Sequence, residues 1–303
     1  MVGVADEAEL DRLEKQVEGG SGDGAQYLAL ARKLKVRRSE KVSKIGLAVL
    51  NNPSAVSKLG DDVWNVYEQV AIATMDCNCA AASKDCVAAL MKKFPESQRI
   101  SRLEGMWLES TGRWRQAEEL YEDMTKRNPS DPHPYKRIVA IAKAQGKSAI
   151  AVEALNKYLD LFMADHDAWR ELAELYISLL MYKQAAFCYE ELILAQPTNA
   201  LYHLGYAEVL YTLGGLDNIR SAKKYYAAAL ELSGGRNVRA LYGIVLCGAA
   251  INQLVKGGRA RDEKDSSELG SLAGAVLSKE YKSKAPKKLP LVKSLLGRAG
   301  ASS

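Results

Sequence analysis

The sequence has 303 residues, of which 48% are apolar, 26% charged and 7% aromatic. That apolar fraction excludes wholesale disorder and collagen-like composition, and the length suits one large domain, two ordinary ones or a repeat array. The net charge of +5 is unevenly held: residues 255–303 carry 11 Lys/Arg against 5 Asp/Glu, so the preceding 254 residues sum to −1. A nucleic-acid binder is expected to carry its basic stripe on the folded body, so no nucleic-acid partner is expected.

In chain order, Asp6, Glu7, Glu9 and Asp11 stand where a secretory leader needs a basic and then an apolar stretch. The run Gly19-Gly20-Ser21-Gly22-Asp23-Gly24 is a breaker, and residues 1–24 read as a flexible segment. Ala25 to Asn51 reads as one or two helices that cap a repeat array extending over 25–254. The register of the array is clearest from His166 to Asn199. There Trp169, Leu172-Ala173, Tyr176, Tyr182, Ala185, Tyr189 and Pro197 occupy the marker positions of the 34-residue tetratricopeptide pattern.

Shifts of 34 residues carry Trp169 back to Tyr135, Ser101 and Tyr67 and forward to His203. Ala173 goes to Val139, Gly105 and Ala71 and forward to Ala207, while Ala185 goes to Ala151 and Ala117. Pro197 goes to Met163, Pro129 and Pro95, and turn glycines fall at Gly112 and Gly146. Small residues at these slots let the two helices of a repeat approach closely. A leucine at Ala173 would overpack the crossing at a cost of about 1–3 kcal/mol. Trp169, Tyr176 and Tyr189 fill the space between helices, and proline ends the second helix of each repeat. In the fifth unit, 15 residues instead of 12 separate Ala207 from Ala222, which predicts a longer inter-helix turn over Gly214-Gly215-Leu216-Asp217-Asn218. A sixth first helix is predicted over Asn237 to Ile251. A closing helix is predicted over Ser266 to Lys282, and a loose tail from Lys284, within a basic region 255–303. The fold class is all-α, a solenoid of about five to six tetratricopeptide repeats with helical caps.

No apolar run approaches the ~18 to 20 residues of a membrane span. The longest is Ala240 to Ile251, so a cytosolic or nuclear protein is expected. Cys77, Cys79, Cys86, Cys188 and Cys247 are an odd set with no zinc spacing and no nearby histidine, and read as reduced thiols without a metal. His133, His166 and His203 are scattered, and no nucleophile, phosphate-loop or metalloprotease motif is present. The reading is therefore not an enzyme and implies no cofactor.

A binding scaffold is what such an array offers, through the surface its first helices line. Positions one, five and eight residues after the Trp169 slot project into that groove. They are Arg102, Met106 and Glu109; Lys136, Ala140 and Lys143; Arg170, Glu174 and Ile177; and Leu204, Glu208 and Tyr211. Arg102, Lys136 and Arg170 would form a basic ladder giving way to Glu174 and Glu208. The Asn slots of a chaperone-type carboxylate clamp hold Ile72, Met106, Ala140 and Glu174 instead, so a receptor for chaperone tails is not expected.

Several words go beyond the generic repeat. They include Lys58-Leu59-Gly60-Asp61-Asp62, Tyr67-Glu68-Gln69-Val70, Lys143-Ala144-Gln145-Gly146-Lys147 and Ala168-Trp169-Arg170-Glu171-Leu172-Ala173. Others are Ala185-Ala186-Phe187-Cys188, Tyr206-Ala207-Glu208-Val209 and Arg239-Ala240-Leu241-Tyr242-Gly243. Across about Leu59 to Ile251 the chain resembles the subunit 2 family of the ER membrane protein complex. The resemblance implies a non-catalytic scaffold, peripheral on the cytosolic face of the endoplasmic reticulum. Its partners would be membrane-embedded and soluble sister subunits, in a machine that inserts transmembrane segments, including tail-anchored ones. The alternative is a tetratricopeptide adaptor in another assembly, for example in RNA processing.

Overall fold

A computed structural model describes residues 4–255 and 263–298. The described residues form α-helices joined by tight turns, with two short 3-10 segments and no strand among them. This is an all-α tetratricopeptide-repeat fold, and the chain divides into two compact units, residues 1–146 and 147–303.

The first unit contains α1 (Val4–Glu18), α2 (Gly24–Leu34), α3 (Ser39–Leu50), α4 (Pro53–Leu59) and α5 (Val63–Asp76). It continues with α6 (Ala80–Lys93), α7 (Gln98–Ser110), α8 (Trp114–Arg127) and α9 (Pro132–Ala144). The segment expected to be flexible over 1–24 instead holds α1. Its Leu10 is fully buried, and Leu13 and Val17 pack on the same core. Ion pairs fasten it as well, Arg38 to Asp11 at 2.6 Å and to Glu14 at 2.9 Å, and Lys41 to Glu14 at 3.3 Å. Burial pushes the Glu14 carboxyl up, but Arg38 and Lys41 outweigh it and hold the group below the usual carboxylate range. The core of this unit gathers Tyr27, Leu28, Val66, Val70 and Ala71, with a second cluster of Leu108, Ala117, Tyr121, Met124 and Ile141.

The second unit contains α10 (Ser148–Leu161), α11 (His166–Ser178), α12 (Tyr182–Ala195), α13 (Ala200–Leu213) and α14 (Leu216–Leu232). It ends in α15 (Val238–Val255), α16 (Glu263–Lys284), a 3-10 turn Pro286–Lys288 and α17 (Leu289–Arg298). As far as Arg298 the tail expected to be loose from Lys284 is instead mostly helical, and 299–303 lie outside the described residues; Val292 and Leu296 of α17 are buried in the core of this unit, beside Ala273 and Leu277 of α16. The part of the basic region at 256–262 lies outside the described residues.

α15 corrects a third expectation. With 18 residues at a mean hydropathy of 1.5, it is long and apolar enough to cross a membrane by length and composition. Ala240, Leu241, Gly243, Ile244, Val245, Cys247, Gly248 and Ile251 of this helix are buried, so its apolarity is that of a core helix.

The turn within each repeat obeys one backbone rule. Asn78, Gly112, Gly146, Leu180 and Gly214 all have positive φ, between 56° and 71°, and they recur at 34-residue intervals. Glycine adopts this conformation freely, whereas a leucine there is strained; Leu180, at φ 59°, is the exception that hides the slot from a search for glycine. In the fifth unit the turn proves to be Gly214-Gly215 alone. The three extra residues lengthen α14 at its start, where Asn218 Nδ2 donates to the Gly214 carbonyl at 2.8 Å.

The small slots do the packing. Ala117, Ala151, Ala173, Ala185, Ala207 and Ala222 are fully buried. A Cβ on Gly105 would run into the Tyr121 ring. One on Gly205 would lie 2.6 Å from Tyr189, and one on Gly243 would lie 2.5 Å from Tyr226. Trp169 and Tyr176 are half-buried, the former donating its indole N–H to the Met163 carbonyl at 2.8 Å.

Candidate interaction surface

In the first unit, α7 and α9 place the groove positions differently from one another. Asp131 caps α9 by accepting from the His133 N–H at 3.1 Å, next to Pro132 at the start of the helix. Its second oxygen accepts from Arg102 Nη2 at 2.6 Å, and the Asp131 side chain is only 6% exposed. Arg102 is therefore a tie between two helices before it is a contact for any partner. Glu109 is likewise consumed internally. Its side chain is 10% exposed and accepts from Tyr121 Oη at 2.7 Å and from Arg137 Nε at 2.8 Å. Burial, reinforced by Glu109, pushes the Tyr121 phenol well above its ordinary range. Lys136 and Lys143 stand exposed on α9.

Met106 is half-buried and opens, with Ile72, Val36, Val42 and Ala73, into a cavity of about 390 Å³. Its rim carries Arg32, Lys35, Arg37 and Arg38 from α2 and the turn after it. Arg32 pairs with Asp62 at 2.6 Å, and Arg37 Nε donates to Asp76 at 2.7 Å. The Arg37 bond is the main reason the Asp76 carboxyl lies below its usual range, against the opposing effect of burial. The sequence reading missed this rim because it took α2 and α3 for end caps. The run Lys33-Leu34-Lys35-Val36-Arg37-Arg38 was the available signal.

In the second unit Arg170 and Glu174 are exposed on α11, Arg170 at 3.3 Å from Asp167. Ile177 and Tyr211 are half-buried against the core. Glu208 is paired with Arg239 at 2.7 Å, and Leu204 is buried, so that projected position is core. Among the projected residues, then, Lys136, Lys143, Arg170 and Glu174 are exposed. Met106, Ile177 and Tyr211 present apolar edges, while Arg102, Glu109 and Glu208 are held by neighbours. Among the described residues no group of three metal-ligating side chains comes together.

Comparison with known proteins follows the repeat register. The EMC2 TPR-like repeat domain matches residues 87–215. The ER membrane protein complex subunit 2 of Xenopus tropicalis is 41% identical over 245 residues, covering 81% of each chain. The chain belongs to the ER membrane protein complex subunit 2 family. The subunit 2 protein of Dictyostelium discoideum is 35% identical over 241 residues, covering 77% of this chain and 74% of its own. Among solved structures, the C-terminal part of a TPR repeat-containing protein from Cytophaga hutchinsonii superposes with a TM-score of 0.56 at 14% identity. It covers 82% of this chain and 96% of that one, a likeness of fold alone.

Proposed function

We propose that the chain is a non-catalytic scaffold subunit of the ER membrane protein complex, held peripherally on the cytosolic face of the endoplasmic reticulum. In this reading it grips cytosolic segments of membrane-embedded sister subunits, docks a soluble one, and so supports insertion of transmembrane segments, tail-anchored ones included. The observation that carries the reading is identity at 41% across four-fifths of both chains with a protein of that name. Each unit by itself offers the mixture of apolar edge and exposed charge that peptide segments need for affinity and register: Met106 with Lys136 and Lys143 in the first, Ile177 and Tyr211 with Arg170 and Glu174 in the second.

Fractionation tests the location. The chain is expected to sediment with endoplasmic reticulum membranes and to be released by alkaline carbonate, because the one span-length apolar helix among the described residues has its apolar face in the core. Retention in the carbonate pellet would contradict peripheral attachment. Sedimentation with ribonucleoprotein particles instead would favour an adaptor in RNA processing.

A further inference from the structure

α16 and α17 carry an apolar stripe that is exposed among the described residues. On α16, Leu269, Leu272 and Val276 follow at i, i+3 and i+7, one helical face, and all are exposed, Leu272 by 64%. On α17, Leu291 and Leu295 lie one turn apart and are also exposed, Leu291 by 73%. The adjoining sides of the same helices supply Ala273, Leu277, Val292 and Leu296 to the core, so the outward leucines are not needed to hold the helices in place.

Charge accompanies the stripe. Residues 268–297 contain six lysines, at 279, 282, 284, 287, 288 and 293, against Glu268 and Glu280. All six lysines are exposed, and Glu280 is already paired with Lys284 at 2.6 Å. The first 254 residues, by contrast, sum to −1. Positive charge and exposed leucine are thus concentrated on the same short stretch.

We propose that this face of α16 and α17 docks on an anionic lipid bilayer, with the leucines entering the headgroup boundary and the lysines lying over lipid phosphates. Helices that lie in the interface combine these two features. The kind of cation decides between lipid and protein as the occupant. Protein interfaces enrich arginine and deplete lysine, and over residues 263–298, which span α16 and α17, seven of the eight cations are lysines, Arg298 being the other. Their long stems lie along apolar surface while the ammonium stays wet. The proposal does not depend on membership of the complex, since a bilayer would be recognised by the isolated chain.

Co-sedimentation of the full chain with phosphatidylcholine vesicles, with and without phosphatidylserine, tests it. Binding is expected only where phosphatidylserine is present and is expected to weaken as salt is raised. Each lysine near an anionic surface is worth about fivefold in affinity. Replacing Lys279, Lys287, Lys288 and Lys293 together by glutamine is therefore expected to weaken binding at least about tenfold. Leu272→Gln with Leu291→Gln is expected to weaken it too, while leaving the salt dependence as in wild type. Because every substituted side chain is exposed, helical circular dichroism and the melting midpoint are expected to stay unchanged. No sedimentation with phosphatidylserine vesicles would overturn the proposal, as would equal binding by wild type and both variants. Loss of a protein partner by these variants without any vesicle binding would assign the face to that protein instead. Failure of the chain to co-purify with the complex would sink the function proposed above and leave the vesicle result standing.

Discussion

Replacing Tyr121 by alanine is expected to cost about 3–5 kcal/mol, the range for deleting a fully buried aromatic side chain. The ring is completely enclosed between α7 and α8, and its hydroxyl is spent on Glu109, so the substitution also leaves Glu109 with one donor fewer. The partner position gives the more discriminating result. Gly105→Ala would place a methyl group against the Tyr121 ring and is expected to destabilise by about 1–3 kcal/mol through overpacking. In the Tyr121→Ala background that clash is gone. Alanine is the better helix former by about 1 kcal/mol, so the same change should become neutral or stabilising. Urea denaturation of the four proteins measures the coupling. Additive costs would mean that Gly105 and Tyr121 do not share that space.

Arg102→Glu is expected to destabilise the first unit, where a surface charge reversal would do almost nothing. Breaking a buried ion pair costs about 3–5 kcal/mol because one charge is left uncompensated. Arg102 is 37% exposed, so solvent screens part of the loss and about 2–3 kcal/mol is expected. Asp131 would then face a second carboxylate while still capping α9. Arg170→Glu removes only an exposed pair with Asp167 and should change stability by about 0–1 kcal/mol. Denaturation midpoints compare the two directly, and an unshifted midpoint for Arg102→Glu would show that the tie to Asp131 carries no stability. A binding test by charge reversal at Arg102 therefore has to be read against this loss of stability.

The repeat was legible because its signals are local and periodic. Small residues at Ala117, Ala151 and Ala185 recur every 34 positions, and a close helix crossing accepts little else. What escaped the sequence reading was whatever depends on context. The Gly-rich run after Glu18 drew attention from Leu10, Leu13 and Val17, whose i, i+3, i+7 spacing already marked α1 as a helix with an apolar face. Two prolines and many lysines made the segment after Lys284 look loose, although Val292 and Leu296 are spaced to bury on one side. In the fifth unit, counting residues between slots showed that three were extra but not whether a turn or a helix absorbed them.

The groove was legible as positions and not as chemistry. Register alone placed Arg102, Glu109 and Glu208 on the right helices, but their partners Asp131, Arg137 and Arg239 lie 28–31 residues away. A pattern of single positions does not reveal such pairs. The cavity beside Met106 needed α2 and the turn after it to be brought against α5 and α7, a tertiary arrangement that no window of the sequence contains.

The most direct measurement is affinity purification of the tagged full chain from detergent-solubilised membranes, with the co-purifying proteins identified by mass spectrometry. Recovery of the membrane-embedded and soluble subunits of the ER membrane protein complex, in amounts comparable to the chain itself, is the predicted result. Recovery of the chain alone, or with a different assembly, would contradict the scaffold role.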